Sequence, residues 1–256
     1  MTKILAINAS YRGDQGYTRF LLDRLYEGAS QEEAEFEVVT LAKHKIRRCL
    51  ACDQCHTPEH FLQCLYKDRD DVWAIFSRLA QADIIVYATP VYVFGISGLL
   101  KVFIDRMYGT GDVNDLQLTA SGRFFHHINH QVCSKPFVTL ICCDNLEAEM
   151  PRNIMAYFHT FSHFMDAPQV GELVRNGGKL AGYGRKPVRP AIANRLKQVH
   201  EAYVQAGREL AVDGHIHSST QRRANREIVP LPLFSILKRL PPFRRVMVIK
   251  AKEMLA

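Results

Sequence analysis

The chain has 256 residues, of which 47% are hydrophobic and 23% charged, so it can bury a full globular core. Its formal net charge of +7 lies entirely in residues 215–256, which leaves residues 1–214 neutral and argues against a nucleic-acid-binding domain. No apolar run approaches the roughly 20 residues of a membrane-spanning helix, and the N-terminal run is too short for a secretion signal. We therefore expect a cytoplasmic protein.

Apolar runs of strand length alternate with longer segments of helical periodicity. In chain order the pattern predicts strands at 4–8, 36–41, 84–88, 137–142 and 170–174, and helices at 18–26, 71–80, 98–107, 153–164 and 191–212. Strands that are apolar throughout and separated by helices indicate a parallel sheet covered on both faces. The sequence therefore predicts an α/β fold for residues 1–214, with a doubly wound five-stranded parallel sheet in the order 2-1-3-4-5.

Two segments interrupt this alternation. Residues 47–70 carry four cysteines, and residues 109–134 carry His126, His127 and His130. Insertions of this kind in α/β folds often build the functional site. A metal site is one interpretation of the three histidines, but without a carboxylate nearby in sequence we favour a solvated or substrate-facing loop.

The loop after the first strand, residues 8–18, opens a helix. A helix N-terminus presents unpaired backbone N–H groups and a partial positive charge, and Ser10, Arg12 and Thr18 can converge on it. The loop has neither the Gly-Lys-Ser/Thr of a P-loop nor the glycine pattern of the dinucleotide fingerprint. It predicts a phosphate site of another kind; the alternative is that Thr18 only caps the helix and Arg12 is a surface residue.

The loop after the third strand, residues 89–98, faces the first loop in the predicted fold. Neighbouring strands whose connections leave in opposite directions frame the crevice where ligands bind. Pro90 fixes the backbone, Tyr92 and Phe94 offer apolar walls, and Gly95 allows close approach of a planar heterocycle. Taken alone, such aromatic residues are as often core as ligand wall.

Together the two loops resemble a known family. The first motif is Asn8-Ala9-Ser10-x-Arg12-x3-Gly16-Tyr17-Thr18. The second is Thr89-Pro90-Val91-Tyr92-x4-Ser97-Gly98-x-Leu100-Lys101-x-Phe103-Ile104-Asp105-Arg106. The pair is similar to the flavodoxin-like NAD(P)H-dependent FMN reductase family, including its iron-sulfur flavoprotein branch, over about residues 3–212. Ala9 and Tyr11 stand where that family usually has Gly and Pro, which leaves the phosphate donors in place.

The resemblance implies FMN as cofactor and NAD(P)H as cosubstrate. The residues that it implies for the phosphate are Ser10, Arg12, Gly16, Tyr17 and Thr18. Those that it implies for the isoalloxazine ring are Pro90, Val91, Tyr92, Val93, Phe94 and Gly95, with Cys143 and Asp144 closing the third side. Backbone N–H groups of residues 91–95 would stabilise charge on the reduced ring, and no side chain is expected to be catalytic.

The implied function is an FMN-dependent oxidoreductase that passes hydride from NAD(P)H to a quinone, nitroaromatic, flavin or similar small-molecule acceptor. The alternative is an electron-transfer protein, flavodoxin-like or iron-sulfur flavoprotein-like, without direct nicotinamide turnover. Flavodoxins are usually strongly acidic, so the neutral charge of residues 1–214 favours the enzyme.

The cysteine run Cys49-x2-Cys52-x2-Cys55-x8-Cys64 is the other informative pattern. Three thiols spaced by two residues can wrap one corner of a cubane, and a fourth can arrive from further along, so a [4Fe-4S] cluster is one interpretation. The iron-sulfur branch carries such a run here, although its fourth cysteine usually comes sooner. The alternatives are unligated thiols or a redox pair, and zinc with His56 or His60. Cys133, Cys142 and Cys143 are expected to be buried as small hydrophobes.

Residues 215–256 form a basic C-terminal extension in the predicted division of the chain. Its cations are interleaved with Leu231, Leu233, Phe234, Ile236, Leu237, Leu240, Phe243, Val246, Met247 and Ile249. Such a segment packs on a partner subunit or lies on an anionic membrane surface. We favour a homodimer or homotetramer, because flavin sites of the family tend to form at subunit interfaces.

Overall fold

The computed structural model describes residues 1–229 and 239–255, the last six by backbone only. Five strands form one parallel sheet in the order β2-β1-β3-β6-β7. They are β1 Lys3–Asn8, β2 Glu35–Thr40, β3 Ile84–Pro90, β6 Phe137–Cys142 and β7 Gln169–Arg175. The order is the predicted 2-1-3-4-5 with a hairpin inserted before the fourth strand, so the predicted fold is confirmed.

Helices cover both faces of the sheet. One face carries α1 Tyr17–Gln31 and α6 Pro190–Asp213, and the other carries α2 Val72–Gln81, α3 Gly98–Asp105 and α5 Arg152–Phe164. Side chains of a strand alternate between faces, and β1 accordingly sends Ile4 and Ala6 to the first core and Leu5 and Ile7 to the second. The sheet is therefore buried on both sides, as its apolar strands predict.

Helix α1 runs five residues beyond its predicted end at Tyr26 and crosses α6 at two glycines. A Cβ atom on Gly28 would lie 1.8 Å from the Val204 carbonyl oxygen, and one on Gly207 would lie 2.0 Å from that of Leu25. The two backbones touch at this crossing, which only glycine allows. The contact fixes where α1 lies, and with it the loop that precedes its N-terminus.

The insertion at 109–134 forms a two-stranded antiparallel hairpin, β4 Asp112–Leu118 and β5 Phe124–His127, followed by the short helix α4 His130–Cys133. The hairpin was not predicted. Its side chains Leu116, Leu118 and Phe124 are exposed. His130 binds Ser134 at 2.8 Å, and within the described residues no three His, Cys, Asp or Glu side chains are placed to hold a metal ion, so the metal interpretation of the histidines gains no support.

The start of the basic extension packs on the domain. Helix α7, Ser218–Ala224, contacts α6 and β7, and Ile216 and Ile228 join the first core. The guanidinium of Arg175, itself buried, donates to the carbonyl oxygens of Ala224 and Arg226 at 3.1 and 2.8 Å. The division at residue 214 stays a prediction, and we propose that the folded domain continues to Val229.

Beyond that point the chain is described again from residue 239. The apolar positions Leu231, Leu233, Phe234, Ile236 and Leu237 lie outside the described residues. Helix α8, Pro241–Leu255, exposes Phe243, Val246 and Ile249. No helix in the described ranges is long and apolar enough to cross a membrane, and the cytoplasmic location stays a prediction.

Candidate functional site

The carboxyl ends of β1, β3 and β6 meet at one edge of the sheet, and the loops that follow them surround an open cavity of about 130 Å³. Ten of the thirteen predicted cofactor residues line it: Ser10, Arg12, Gly16, Tyr17, Thr18, Pro90, Val91, Tyr92, Cys143 and Asp144. Val93, Phe94 and Gly95 do not. The structure thus brings together two loops that lie about 80 residues apart in sequence, at the position that a doubly wound fold predicts.

The first loop is organised by Asn8 at the end of β1. Its side-chain amide donates to the Gly13 carbonyl oxygen at 3.2 Å, and its oxygen accepts from the Ser10 N–H at 3.3 Å. The Ser10 hydroxyl oxygen in turn accepts from the Arg12 N–H at 3.2 Å, which leaves its proton to donate. A Cβ atom on Gly16 would lie 2.6 Å from that oxygen, so only glycine leaves the hydroxyl accessible.

Tyr17, the first residue of α1, contributes less through its hydroxyl than the resemblance implies. The Tyr17 hydroxyl bonds His200 Nε2 at 3.0 Å, and the side chain of Thr18 is buried beside the cavity. Backbone N–H groups in the first turn of a helix have no partner inside the helix. Tyr17 and Thr18 therefore offer the cavity these N–H groups and their buried side-chain surfaces.

The second loop differs from the prediction of a free row of N–H groups. The Val91 N–H donates to the Cys142 carbonyl oxygen at 2.7 Å, and Tyr92 and Gly95 exchange N–H···O bonds of 3.1 Å. This tight turn places Val93 and Phe94 in the left-handed region, at φ 46° and 64°. Three of the five N–H groups thus already donate hydrogen bonds within the protein. These bonds hold the turn and join it to β6.

Apolar surface lines the second loop's side of the cavity. Pro90, Val91 and Tyr92 line it there, and the ring of Tyr92 lies 5.9 Å from that of Tyr11. Both rings are exposed. The site therefore joins polar groups at the start of α1 to an open apolar wall.

A third loop, residues 176–189 between β7 and α6, was missed by the sequence analysis. Its residues Gly178 and Tyr183 line the cavity, as does Cys142 at the end of β6. No motif marks this loop, but its four glycines directly after the last predicted strand were a usable signal, since that strand ends at the same edge of the sheet.

The cysteines of residues 47–70 form a second site. Cys49, Cys52, Cys55 and Cys64 line one small cavity, whereas His56 and His60 do not. Burial, followed by the neighbouring Cys64 thiol, raises the pKa of Cys55 to about 11. The four cysteines share this cavity, but no set of three His, Cys, Asp or Glu side chains in the described residues is placed to hold a single metal ion.

Arg106, just after α3, closes this second cavity. Its guanidinium pairs with the Asp70 carboxylate and donates to the Arg47 carbonyl oxygen at 2.9 Å and to Cys64 Sγ at 3.2 Å. Neither charged side chain of the pair reaches solvent. Removing one partner of a buried pair is strongly destabilising, so Arg106 ties the cysteine segment to α3.

Comparison with known proteins agrees with this geometry. Residues 2–120 match the family described as NADPH-dependent FMN reductase, which is the family that the two loops resemble. An iron-sulfur flavoprotein of Archaeoglobus fulgidus is 33% identical over 104 residues, which are 41% of this chain and 48% of that protein. YwqN of Bacillus subtilis, provisionally named an NAD(P)H-dependent FMN-containing oxidoreductase, is 29% identical over 134 residues, 52% of this chain and 69% of YwqN.

Solved structures support the fold. The FMN-dependent NADH-azoreductase of Bacillus anthracis, in complex with FMN, superposes with a TM-score of 0.56 at 14% identity, covering 82% of this chain and 100% of that one. The chain spans about half the length of the iron-sulfur flavoproteins that it matches. What the whole protein does is therefore a matter for proposal.

His200, behind the phosphate side of the cavity, predicts a pH dependence. Burial, and next the charge of Arg175, lower its pKa to about 4. In the unfolded chain His200 binds a proton near pH 6.5, so stability is lost as the pH falls from 6.5 towards 4. Between pH 7 and 4.5 we expect wild type to lose roughly 1 to 3 kcal/mol more stability than His200→Gln, measured by urea unfolding.

The control is His159→Gln, which changes an exposed histidine. It should keep the pH dependence of the wild type. Equal loss of stability in wild type and His200→Gln would contradict the assignment.

Proposed function

We propose that this protein binds FMN at the edge of the sheet and oxidises NAD(P)H, passing the reducing equivalents to a small-molecule acceptor. The observation that carries the proposal is that a helix N-terminus, a buried serine and an arginine adjoin an apolar wall in one cavity. It lies at the switch point of a doubly wound sheet, where such folds bind ligands.

The polar end of the cavity has the donor set that a phosphate requires. The Ser10 hydroxyl has a free proton, the N–H groups at the start of α1 have no helical partner, and Arg12 lines the same space. We assign the phosphate to these groups, with Gly16 giving the space for close approach. Thr18 and Tyr17 contribute their backbone N–H groups and help to form the wall of the cavity.

The apolar end suits a planar ring system. Pro90, Val91 and Tyr92 would lie along the isoalloxazine, and Cys143 and Asp144 would close the third side. Bound FMN supplies the hydride chemistry, and the chain's own residues bind and orient it. The wall near Tyr11 and Tyr92 is open, so nicotinamide and acceptor can occupy it in turn, and its aromatic rim favours a planar acceptor such as a quinone, nitroaromatic or flavin.

We keep the homodimer or homotetramer as a prediction. The exposed apolar side chains of the β4–β5 hairpin support an interface between subunits, because apolar side chains clustered on a surface often mark one.

The activity is tested by anaerobic mixing of FMN-loaded protein with NADH or NADPH. We expect the oxidised-flavin absorbance to bleach with at least one of them, and steady-state kinetics with quinone or nitroaromatic acceptors to be ping-pong. Flavin that stays oxidised with both nucleotides would contradict the proposal and favour the electron-carrier alternative.

The phosphate assignment is tested separately with Ser10→Ala/Arg12→Ala. Loss of two hydrogen bonds to a charged group should weaken FMN binding by on the order of a hundredfold or more. Fluorescence titration of the apoprotein measures it. The control Ser30→Ala/Arg152→Ala changes the same residue types at exposed positions, and it should bind as wild type does. Full FMN affinity in the first variant would refute the assignment.

A second candidate function is electron transfer through a cluster held by the four cysteines. It is favoured by the shared cavity of Cys49, Cys52, Cys55 and Cys64 and by the N–H donor that Arg106 gives to Cys64. Thiolates are the ligands of iron-sulfur clusters, which exchange single electrons. The eight residues of α3, about 12 Å of helix, link the flavin loop to Arg106.

Iron and sulfide analysis of protein prepared without oxygen decides whether the cluster exists. About four of each per chain would support the cluster, and Cys52→Ser should then abolish both while FMN stays bound. Cys133→Ala, a buried cysteine outside the cavity, serves as control. Iron-free, sulfide-free protein would reject the cluster and leave the cysteines as thiols.

A further inference from the structure

The loop of residues 176–189 reaches across to the first loop, far away in sequence. The Arg185 guanidinium donates to the Asp14 carbonyl oxygen and to Gln15 Oε1, the latter at 3.1 Å. Tyr183 of the same loop lines the cavity. The loop is thus part of the phosphate side of the site, although neither sequence motif contains it.

Tyr183 contacts both charged side chains of the cavity. The guanidinium of Arg12 lies over its ring, 4.9 Å from the centroid, and its hydroxyl donates to Asp144 Oδ2 at 3.1 Å. The contact with Tyr183 is also the main cause that raises the pKa of Arg12. Tyr183 therefore contacts the Arg12 cation with its ring and hydrogen-bonds the Asp144 carboxylate with its hydroxyl.

The backbone is arranged to place this side chain. Tyr183 has φ 53° and ψ 26°, a left-handed conformation that costs a residue with a side chain about 1 kcal/mol or more. It stands between Gly182 and Gly184, and a Cβ atom on Gly184 would lie 2.4 Å from the Phe20 ring. The fold holds this strained segment against α1, with Tyr183 directed into the cavity.

The charges of Arg12 and Asp144 make the position of Tyr183 important. Asp144 is close enough to Arg12 to raise the pKa of the guanidinium, but the contact that Arg12 makes is with the tyrosine. If Asp144 lost its tyrosine partner, its carboxylate would become the natural partner of Arg12. An arginine paired with a carboxylate has less to offer a phosphate.

We propose that Tyr183 determines specificity for the phosphorylated flavin, by holding Arg12 ready for the phosphate and keeping Asp144 from pairing with it. This inference rests on the proposed FMN site. Tyr183 is a positioning residue, and its effect is on the preference for FMN over riboflavin, two ligands that differ only in the phosphate.

The test measures dissociation constants of FMN and riboflavin for the apoprotein by flavin fluorescence. Tyr183→Phe keeps the ring and removes the hydroxyl, and we expect it to weaken FMN binding about tenfold with riboflavin binding unchanged. Tyr183→Leu removes the ring as well and should reduce the preference further. Tyr26→Phe, an exposed tyrosine of α1, is the control and should match wild type.

A second substitution that restores the preference for FMN distinguishes the positioning role of Tyr183 from a general effect on the shape of the cavity. Adding Asp144→Asn to Tyr183→Phe removes the competing carboxylate, so the preference for FMN should return to that of Asp144→Asn alone. Thermal unfolding of each variant confirms that it is folded.

Two results overturn the inference. The first is an unchanged ratio of FMN to riboflavin affinity in Tyr183→Phe, which includes equal weakening of both flavins. The second is failure of Asp144→Asn to restore the ratio. Wild-type apoprotein that binds neither flavin would instead refute the proposed function, and the inference with it.

Discussion

The site depends on the opposite directions in which the chain leaves β1 and β3 at the carboxyl edge of the sheet. Because the two strands are neighbours, their loops face each other across a gap that no strand fills. The contact of α1 with α6 at Gly28 and Gly207 then sets the position of α1, and so of the N–H groups that it presents to the gap. The contacts proposed for the phosphate and for the apolar face of the ring follow from this geometry.

The fold was predictable because the strands are apolar throughout and regularly spaced, which leaves few arrangements open. Helix α1 was predicted too short, since Gly28 weakens a helical pattern although the fold requires it for the α6 contact. The phosphate loop was predictable because Ser10, Arg12 and Gly16 lie within a few residues of one another. Patterns of neighbouring residues can be recognised in a single sequence.

What the sequence did not reveal depends on contacts between distant residues. The pairing of the Tyr17 hydroxyl with His200 spans 183 positions, and the bond from Arg185 to Gln15 spans 170. The cysteine segment is joined to the end of α3 by Arg106, whose partner Asp70 is 36 positions away. No sequence spacing predicts these pairs, because only the folded sheet brings their residues close together.

The turn at Val93 and Phe94 combines backbone strain with exposed apolar surface. A two-residue turn with both residues left-handed is formed most easily by Asn-Gly, and a β-branched valine is among the least suited residues. The two side chains are also 91% and 57% exposed, so they add little to the core. Replacing the pair by Asn-Gly would therefore relieve strain in the backbone while removing little buried apolar surface.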